Sequence, residues 1–137
     1  MKQRKYTILI FTVLIGLILS SCNKEDINID ITSYNWEVVK IKKHGESSYS
    51  NANESYVLEF TSYTTYTLKL DVNSCGGHYE ILNNGNIDIN AMGCTEICCD
   101  SEFAENLSHL FPKMTKYYGT GDELIFEGQG EIILKQH

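Results

Sequence analysis

Residues 71–100 contain four of the five cysteines in the chain, and this cluster constrains the fold more than any other feature. In the same stretch, two short alternating runs flank an Asn/Gly turn at residues 83–86, which predicts a β-hairpin because Asn and Gly tolerate positive φ. We expect another sharp reversal between Leu70 and Tyr79, formed by Asn73 and the glycine pair 76–77. The stretch is therefore interpreted as the cross-linked centre of a small β-rich domain.

The length and composition are typical of one small globular domain. The 137 residues lie within the usual domain size of about 100–150 residues. A hydrophobic fraction of 42% allows a packed core, and nine tyrosines with a single proline favour strands over a helical bundle.

The chain is acidic, with a formal net charge of −7 at pH 7. Removal of Lys2, Arg4 and Lys5 with a leader leaves eight basic residues against 18 acidic ones, a net charge of −10. A domain of this charge is repelled by phosphate backbones, so no nucleic acid is expected among its partners.

The N-terminus has the pattern of a bacterial lipoprotein signal. A basic start precedes an apolar run at residues 6–19, which is shorter than the roughly 18–20 residues that a membrane-spanning helix needs. The sequence Leu19-Ser20-Ser21-Cys22 resembles a lipobox, in which the cysteine is acylated and becomes the mature N-terminus. We predict a signal peptide at 1–21 and a lipidated Cys22 with a tether at 22–32. A plain signal peptide with an incidental cysteine and an uncleaved anchor are the alternatives.

The predicted lipid sets the expected location. Several acyl chains anchor a protein stably, since each buried methylene contributes about 0.8 kcal/mol. The partner implied is the membrane, and the localisation is the cell envelope, as an outer membrane lipoprotein on the periplasmic or the surface-exposed side. The run Lys24-Glu25-Asp26 resembles a surface-export tag or is simply a solvated part of the tether.

Alternating apolar residues predict about seven to eight strands in a domain at residues 33–137. A capping segment at 100–102 followed by Phe103, Leu107 and Leu110 on one face predicts one helix that ends near Pro112. The fold class expected is α+β, a small single domain with a mostly antiparallel sheet or partly open barrel and one packed α-helix.

The disulfide candidates are Cys75, Cys94, Cys98 and Cys99, an even number in a predicted exported protein. A bond between the adjacent Cys98 and Cys99 would strain the peptide between them, so we set aside the pairing 75–94 with 98–99. The pairings 75–98 with 94–99 and 75–99 with 94–98 remain open. A bridge from Cys75 to this corner would contribute about 3 kcal/mol by closing a long loop.

The same cysteines allow two reactive interpretations. Cys75 and His78, with Cys94 and Cys98, have a spacing compatible with zinc. We do not favour it, because His78 should point outward next to a strand tyrosine and oxidation competes for the thiols. A Cys75/His78 nucleophile pair is also disfavoured, since no third group to orient the imidazole is recognisable. We therefore expect no metal, no cofactor and no catalytic residues.

The order of motifs resembles the META domain of the HslJ-like family over about residues 33–136. A tryptophan opens such domains, and an Asn, a Gly-x-Tyr, a Thr-x-Met-x-Cys element, a helix and a closing Gly-Asp-x-Leu hairpin follow. The matching positions in this sequence are Trp36, Asn73, Gly77, Tyr79, Thr95, Cys99 and Asp122. Val72 replaces a cysteine common in the family, and Ile97 replaces the usual methionine.

The resemblance implies a small β-rich domain with one packed helix, found in envelope lipoproteins and linked to stress tolerance, with no catalytic residues and no known ligand. We expect a non-enzymatic binding or structural module whose small ligand or protein partner is unknown. A lipocalin-like carrier of a small apolar ligand is the first alternative, and a Cys/His metal-binding protein is the second.

Overall fold

The computed structural model describes residues 29–137. The predicted signal peptide, the lipidated Cys22, the 24–26 run and most of the predicted tether lie outside the described residues.

The described chain contains ten strands and one α-helix. The strands are β1 (Asn35–Lys43), β2 (Ser50–Asn51), β3 (Val57–Phe60), β4 (Thr65–Lys69), β5 (Ser74–Ile81), β6 (Ile87–Ile89), β7 (Gly93–Cys94), β8 (Met114–Thr120), β9 (Glu123–Gly128) and β10 (Gly130–Gln136), and the helix is α1 (Glu102–Leu110).

Eight of these strands form a nearly closed antiparallel barrel, in the order β6-β5-β4-β3-β1-β10-β9-β8, while β2 and β7 pair with β1 and β5. The ring closes where β6 meets β8, through a bridge between Asn86 and Lys116. Gly85 permits this approach, since its φ is +70° and a Cβ there would lie 2.7 Å from the carbonyl oxygen of Tyr117. The predicted fold class, mostly antiparallel with one packed helix, is confirmed.

The barrel interior is filled with side chains that alternate along each strand. Pairs such as Leu58 and Phe60 on β3 or Leu124 and Phe126 on β9 are buried, while their neighbours are exposed or half-buried. The indole of Trp36 lies in this core, and its Nε1 donates a hydrogen bond to the carbonyl of Ile31 at 2.8 Å. The alternating sequence pattern therefore predicted correctly which strand residues fill the barrel interior.

Helix α1 packs onto the barrel through its apolar stripe. The Ser101 hydroxyl accepts a hydrogen bond from the Ala104 amide at 3.3 Å and caps the helix. Phe103 stacks on Tyr56 at 4.9 Å between ring centroids, and Phe111, just beyond the helix, contacts the rings of Tyr66 and Phe126. These contacts confirm the predicted helix and its core-facing stripe.

The two ends of the barrel carry different turns. At the end that we call the termini end, β1 starts and β10 finishes, and the turns β3–β4, β5–β6 and β8–β9 lie there. At the opposite end, which we call the helix end, lie the β4–β5 and β9–β10 turns. The amide of His137 donates to the carbonyl of Asn35 at 2.9 Å, so the C-terminus is fixed beside the start of β1.

The glycine pair 76–77 was wrongly predicted to form the reversal before Tyr79. Both glycines lie inside β5, where Gly77 pairs with Tyr66, and the reversal is formed by residues 71–73. A Cβ on Gly77 would lie 2.9 Å from the Tyr66 hydroxyl and 3.1 Å from the Ala91 carbonyl oxygen. Glycine is needed here for close packing and not for a turn.

Two further residues depart from the sequence patterns. Ile81 belongs to the alternating run before the Asn/Gly turn, whose pattern predicts that it faces inward, but it is 44% exposed because β5 ends there. Ile31, which the sequence analysis placed in the tether, is completely buried in a short 3-10 turn at Ile31–Ser33. Asp30 caps this turn by accepting from the Thr32 amide at 3.0 Å, so the chain packs on the barrel before β1 begins.

Candidate functional site

The buried side chain of Asn73, at the helix end, takes part in four hydrogen bonds. Its Nδ2 donates to the carbonyl of Ile97 and to Asp100 Oδ2, both at 2.7 Å. Its Oδ1 accepts from the Thr95 hydroxyl and from the Ile97 amide, both at 2.8 Å. One amide therefore holds the β4–β5 turn against the segment that follows β7.

Asp100 and Thr95 complete this network from the facing segment. Asp100 Oδ1 accepts from the backbone amides of Val72 at 3.0 Å and Asn73 at 3.1 Å. Thr95 Oγ1 accepts from the Ser74 amide at 3.1 Å, and its own amide donates to the Ser74 carbonyl at 3.0 Å. The polar groups of Asn73, Asp100 and Thr95 named above thus all have partners, which offsets the cost of removing them from water.

The disulfide pairing differs from both pairings that the sequence analysis kept. Cys75 is bonded to Cys94 and Cys98 to Cys99, the combination that was set aside. The pairing follows from the tertiary structure. Strand β7 lies beside β5 with Cys94 directly opposite Cys75, which places these two residues side by side. Cys98 and Cys99 are then each other's nearest remaining partners.

Beside this network, a polar cleft of about 570 Å³ opens to solvent. It lies between the β4–β5 turn, the loop before β3 and the start of α1. Its walls are residues Asn53, Glu54, Ser55, Lys69, Leu70, Asp71, Cys99, Asp100 and Ser101. Its volume lies in the range of small-ligand sites, roughly 300–1,000 Å³, but it is more polar than most such sites.

Asp71 and Ser101 line the cleft, and the buried Tyr56 lies behind them. Asp71 Oδ2 accepts from the Ser101 amide at 2.6 Å, and the Tyr56 hydroxyl lies 3.1 Å from the Ser101 hydroxyl. Burial acts to raise the pKa of Asp71, but hydrogen bonds from Ser101 and Tyr56 outweigh it and hold this pKa below its ordinary value. Burial, together with the neighbouring Asp71, raises the pKa of Tyr56 to about 12.

Asp100 is ionised for a similar reason. Burial acts to raise its pKa, and the hydrogen bonds from Val72 and Asn73 outweigh it, so the pKa lies below 3.8. The cleft is therefore lined by carboxylates that are ionised near neutral pH, one of them with a buried oxygen, Asp71 Oδ1, that has no hydrogen-bond partner within residues 29–137, and Lys69 is the one cation among the lining residues. Such a surface suits a ligand that donates hydrogen bonds or carries positive charge.

The cleft residues do not form a set that could carry out nucleophilic catalysis. The Ser101 hydroxyl is used as the cap of α1, and the histidines His44, His78 and His109 are exposed away from it. No group of three or more His, Cys, Asp or Glu side chains within residues 29–137 is arranged to hold a metal ion.

The family-motif residues separate into two groups. Asn73 and Thr95 bond to each other in the network, with the Cys75–Cys94 disulfide beside them. The other motif residues serve the barrel. Trp36 is in the core, Gly77 makes room for Tyr66, and Asp122 lies in the β8–β9 turn.

Tyr79 and His78 lie side by side on β5 but point in opposite directions. The Tyr79 ring is buried, and its hydroxyl donates to the Ser62 carbonyl at 2.8 Å. His78 is exposed, as its place next to a strand tyrosine predicted. The spacing considered for zinc is thus not used for a common site, because Cys75 and Cys94 are bonded to each other.

The sequence analysis missed the roles of Asp71, Asp100 and Tyr56. Asp100 was assigned to the helix cap, yet it reaches back to the β4–β5 turn while Ser101 caps the helix. Tyr56 was not recognised as a partner of these residues, since it comes just before β3 and is distant from them in sequence. The one available signal was the pair of acidic residues that bracket the cysteine stretch.

The comparisons with known proteins agree with this architecture. An NMR structure of a protein from Burkholderia xenovorans is similar with a TM-score of 0.61 and 10% identity, over 78% of this chain and 83% of that one. A crystal structure of a DUF4847 family protein from Bacteroides vulgatus is similar with a TM-score of 0.60 and 11% identity, over 79% of this chain and 95% of that one. At these identities the likeness concerns the fold alone. The chain matches none of the curated proteins.

The family model described as the META domain matches residues 29–136, which is nearly the whole of the described chain. This match begins at the residues that pack before β1, and it includes the Asn73 network and the closing strands. The chain belongs to the META domain family.

Proposed function

We propose that this chain is a lipid-anchored protein of the bacterial cell envelope, held in the outer membrane through Cys22. Its META domain acts as a non-enzymatic binding or structural module, with a role in tolerance of envelope stress. The polar cleft beside Asn73 is its binding surface, and the ligand is a small molecule or peptide that donates hydrogen bonds or carries positive charge.

The observation that carries the binding proposal is how rigidly the cleft is built. The Asn73 side chain takes part in four hydrogen bonds at 2.7–2.8 Å, and the Cys75–Cys94 disulfide ties the same segment to β5. Preorganised polar groups lower the entropic cost of binding, so a cleft held in this way suits recognition. Catalysis would require a nucleophile and base within hydrogen-bonding distance.

The interior of the barrel argues against the carrier alternative. A lipocalin-like carrier needs a hollow barrel, whereas Trp36, Tyr66, Phe111 and Phe126 fill this one. The 570 Å³ cleft lies outside the barrel and is lined mainly by polar residues. An apolar ligand would find little complementary surface there.

The test of the anchor is the intact mass of the full-length protein after extraction from bacterial membranes, measured before and after reduction. We expect the mass of a chain that starts at Cys22 with acyl groups attached, and a gain of four hydrogens on reduction. Cys22→Ser is the control and should leave the leader uncleaved and the lipid absent. A full-length, unacylated chain would contradict the proposal.

The test of the cleft uses an arginine-containing peptide library against the extracted protein. Binding should fall at least tenfold in Asp71→Asn, and Glu59→Gln, an exposed carboxylate on β3, should bind as the parent does. Equal affinity of the two variants would rule out the cleft as the binding surface.

A further inference from the structure

Four of the six large hydrophobic side chains that remain exposed within residues 29–137 lie at the termini end, and the other two, Val72 and Ile97, lie at the helix end. Within residues 29–137, Tyr63 is 85% exposed, Tyr34 47%, Leu82 45% and Ile81 44%. When exposed apolar side chains are grouped at one end of a domain, that end is a candidate surface for a partner or a membrane.

The strand registers place all four on the same rim. Tyr34 immediately precedes β1, and Tyr63 lies in the β3–β4 turn, which β5 reaches through a hydrogen bond from the Tyr79 amide to the Thr64 carbonyl at 3.0 Å. Ile81 ends β5, and Leu82 opens the turn to β6. Each belongs to a strand end or turn at the termini end.

The chain that precedes the described residues leaves from this rim. Ile29 packs against Gly119 near the end of β8, where a Cβ on the glycine would lie 3.0 Å from the Ile29 Cδ1 atom. Only seven peptide steps separate Ile29 from Cys22, and these span at most about 25 Å when fully extended. A lipid on Cys22 would therefore keep the termini end within about 25 Å of the bilayer.

We propose that the termini end lies against the lipid surface, with Tyr34, Tyr63, Ile81 and Leu82 in the interfacial region of the membrane. The inference rests on the proposed lipid anchor. Tyrosine is favoured at this depth because its ring is apolar and its hydroxyl stays hydrated. The domain is thus oriented with its polar cleft pointing away from the membrane.

The charges on the rim decide which lipid it faces. Asp30 and Asp122 are exposed there, while Lys135 is close to Glu123 at 3.8 Å and His137 to Glu37 at 3.6 Å. The rim has no excess of positive charge to attract anionic headgroups. Contact with zwitterionic lipid through apolar side chains is the arrangement that fits.

The test uses the lipidated full-length protein in zwitterionic phosphatidylcholine vesicles with brominated acyl chains, which quench indole fluorescence on contact. The variant Tyr63→Trp places a probe on the rim, and Ile97→Trp is the matched control at the helix end, where Ile97 is 58% exposed. The parent protein, whose single Trp36 is buried, supplies the background. We expect a loss of intensity and a blue shift in Tyr63→Trp only.

Flotation of the vesicles separates the two proposals. A protein that floats but shows equal quenching in the two variants, or quenching in Ile97→Trp alone, overturns the orientation and leaves the anchor standing. A protein that does not float overturns both. Hydrogen exchange of the unmodified protein provides a second measurement, in which the amides of residues 61–64 and 81–86 should exchange more slowly on vesicles than in detergent.

Discussion

At the scale of single residues, the buried polar groups of this domain are used in opposite ways. Asn73 is buried with all of its polar capacity engaged, and it joins two segments that are distant in sequence. Tyr66 is buried with a hydroxyl that has no hydrogen-bond partner within residues 29–137. The Asn73 amide helps to specify the fold. The unpaired Tyr66 hydroxyl costs free energy of folding, which the packing of the Tyr66 ring offsets.

Replacement of Asn73 by alanine should destabilise the domain by about 2–4 kcal/mol, since several buried groups lose their partners at about 1 kcal/mol each. Chemical denaturation, followed by the fluorescence of Trp36, measures this loss. Asn90→Ala, at an exposed position after β6, is the control and should change the free energy of unfolding by less than about 0.5 kcal/mol. An equal effect of the two substitutions would show that the network contributes little.

Gly77→Ala should destabilise by about 1–3 kcal/mol, because the new methyl group meets the Tyr66 hydroxyl at 2.9 Å and the Ala91 carbonyl at 3.1 Å. Tyr66→Phe alone should be nearly neutral, and combined with Gly77→Ala it should restore part of the loss. Thermal unfolding of the four proteins measures this coupling. Gly93→Ala, where a Cβ has no atom within 4 Å, is the control, and a loss of the same size there would contradict the packing argument.

At the scale of elements, strand and helix positions follow from the sequence where burial alternates, and fail where tertiary contact decides. The β5–β6 hairpin and the apolar stripe of α1 could be predicted because their buried residues recur at regular spacing in the sequence. In the structure, Tyr79 pairs with Ile89 across the hairpin, and the buried residues of α1 lie on one face. The role of Gly77 could not be predicted, because only the position of Tyr66 on the neighbouring strand requires it. The disulfide pairing depends likewise on the register of β7.

Removal of the Cys75–Cys94 bond by a double substitution with alanine should cost about 3 kcal/mol of stability, because the bond closes a loop with a sequence separation of 19. The Cys98–Cys99 bond joins adjacent residues and closes no such loop. Its removal by the same substitution should therefore reduce the stability much less. Denaturant midpoints of the two double variants compare the bonds directly. A larger loss from the second pair would contradict the assignment of the stabilising bond.

At the scale of the whole molecule, two depressed carboxylate pKa values link stability to pH. Asp71 and Asp100 both have folded-state pKa values below 3.8, because hydrogen bonds to each carboxylate outweigh its burial. Their contribution is fully present above pH 3.8 and is lost as the pH falls towards the folded values, since the unfolded chain then binds more protons. The roles of these two aspartates could not be predicted from sequence, because their hydrogen-bond partners come from distant segments.

The domain should therefore lose stability steeply below about pH 4, and the double variant Asp71→Asn/Asp100→Asn should lose it less steeply although it starts from a lower value. Thermal midpoints measured between pH 7 and pH 2 give both slopes. Glu59→Gln is the control and should keep the slope of the parent. Identical slopes in all three proteins would contradict this linkage.

The presence of both ends of the described chain at the termini end has a practical consequence for engineering. Because His137 is hydrogen-bonded to Asn35, and Ile29 lies against Gly119 at the same end of the barrel, a linker across this end could join the two without disturbing a strand. A circular permutant with new ends in the exposed loop at 44–48 should keep the complete barrel. In such a molecule a reporter domain fused at the new ends would project from the helix end, where β1 finishes, and not from beside Asn35.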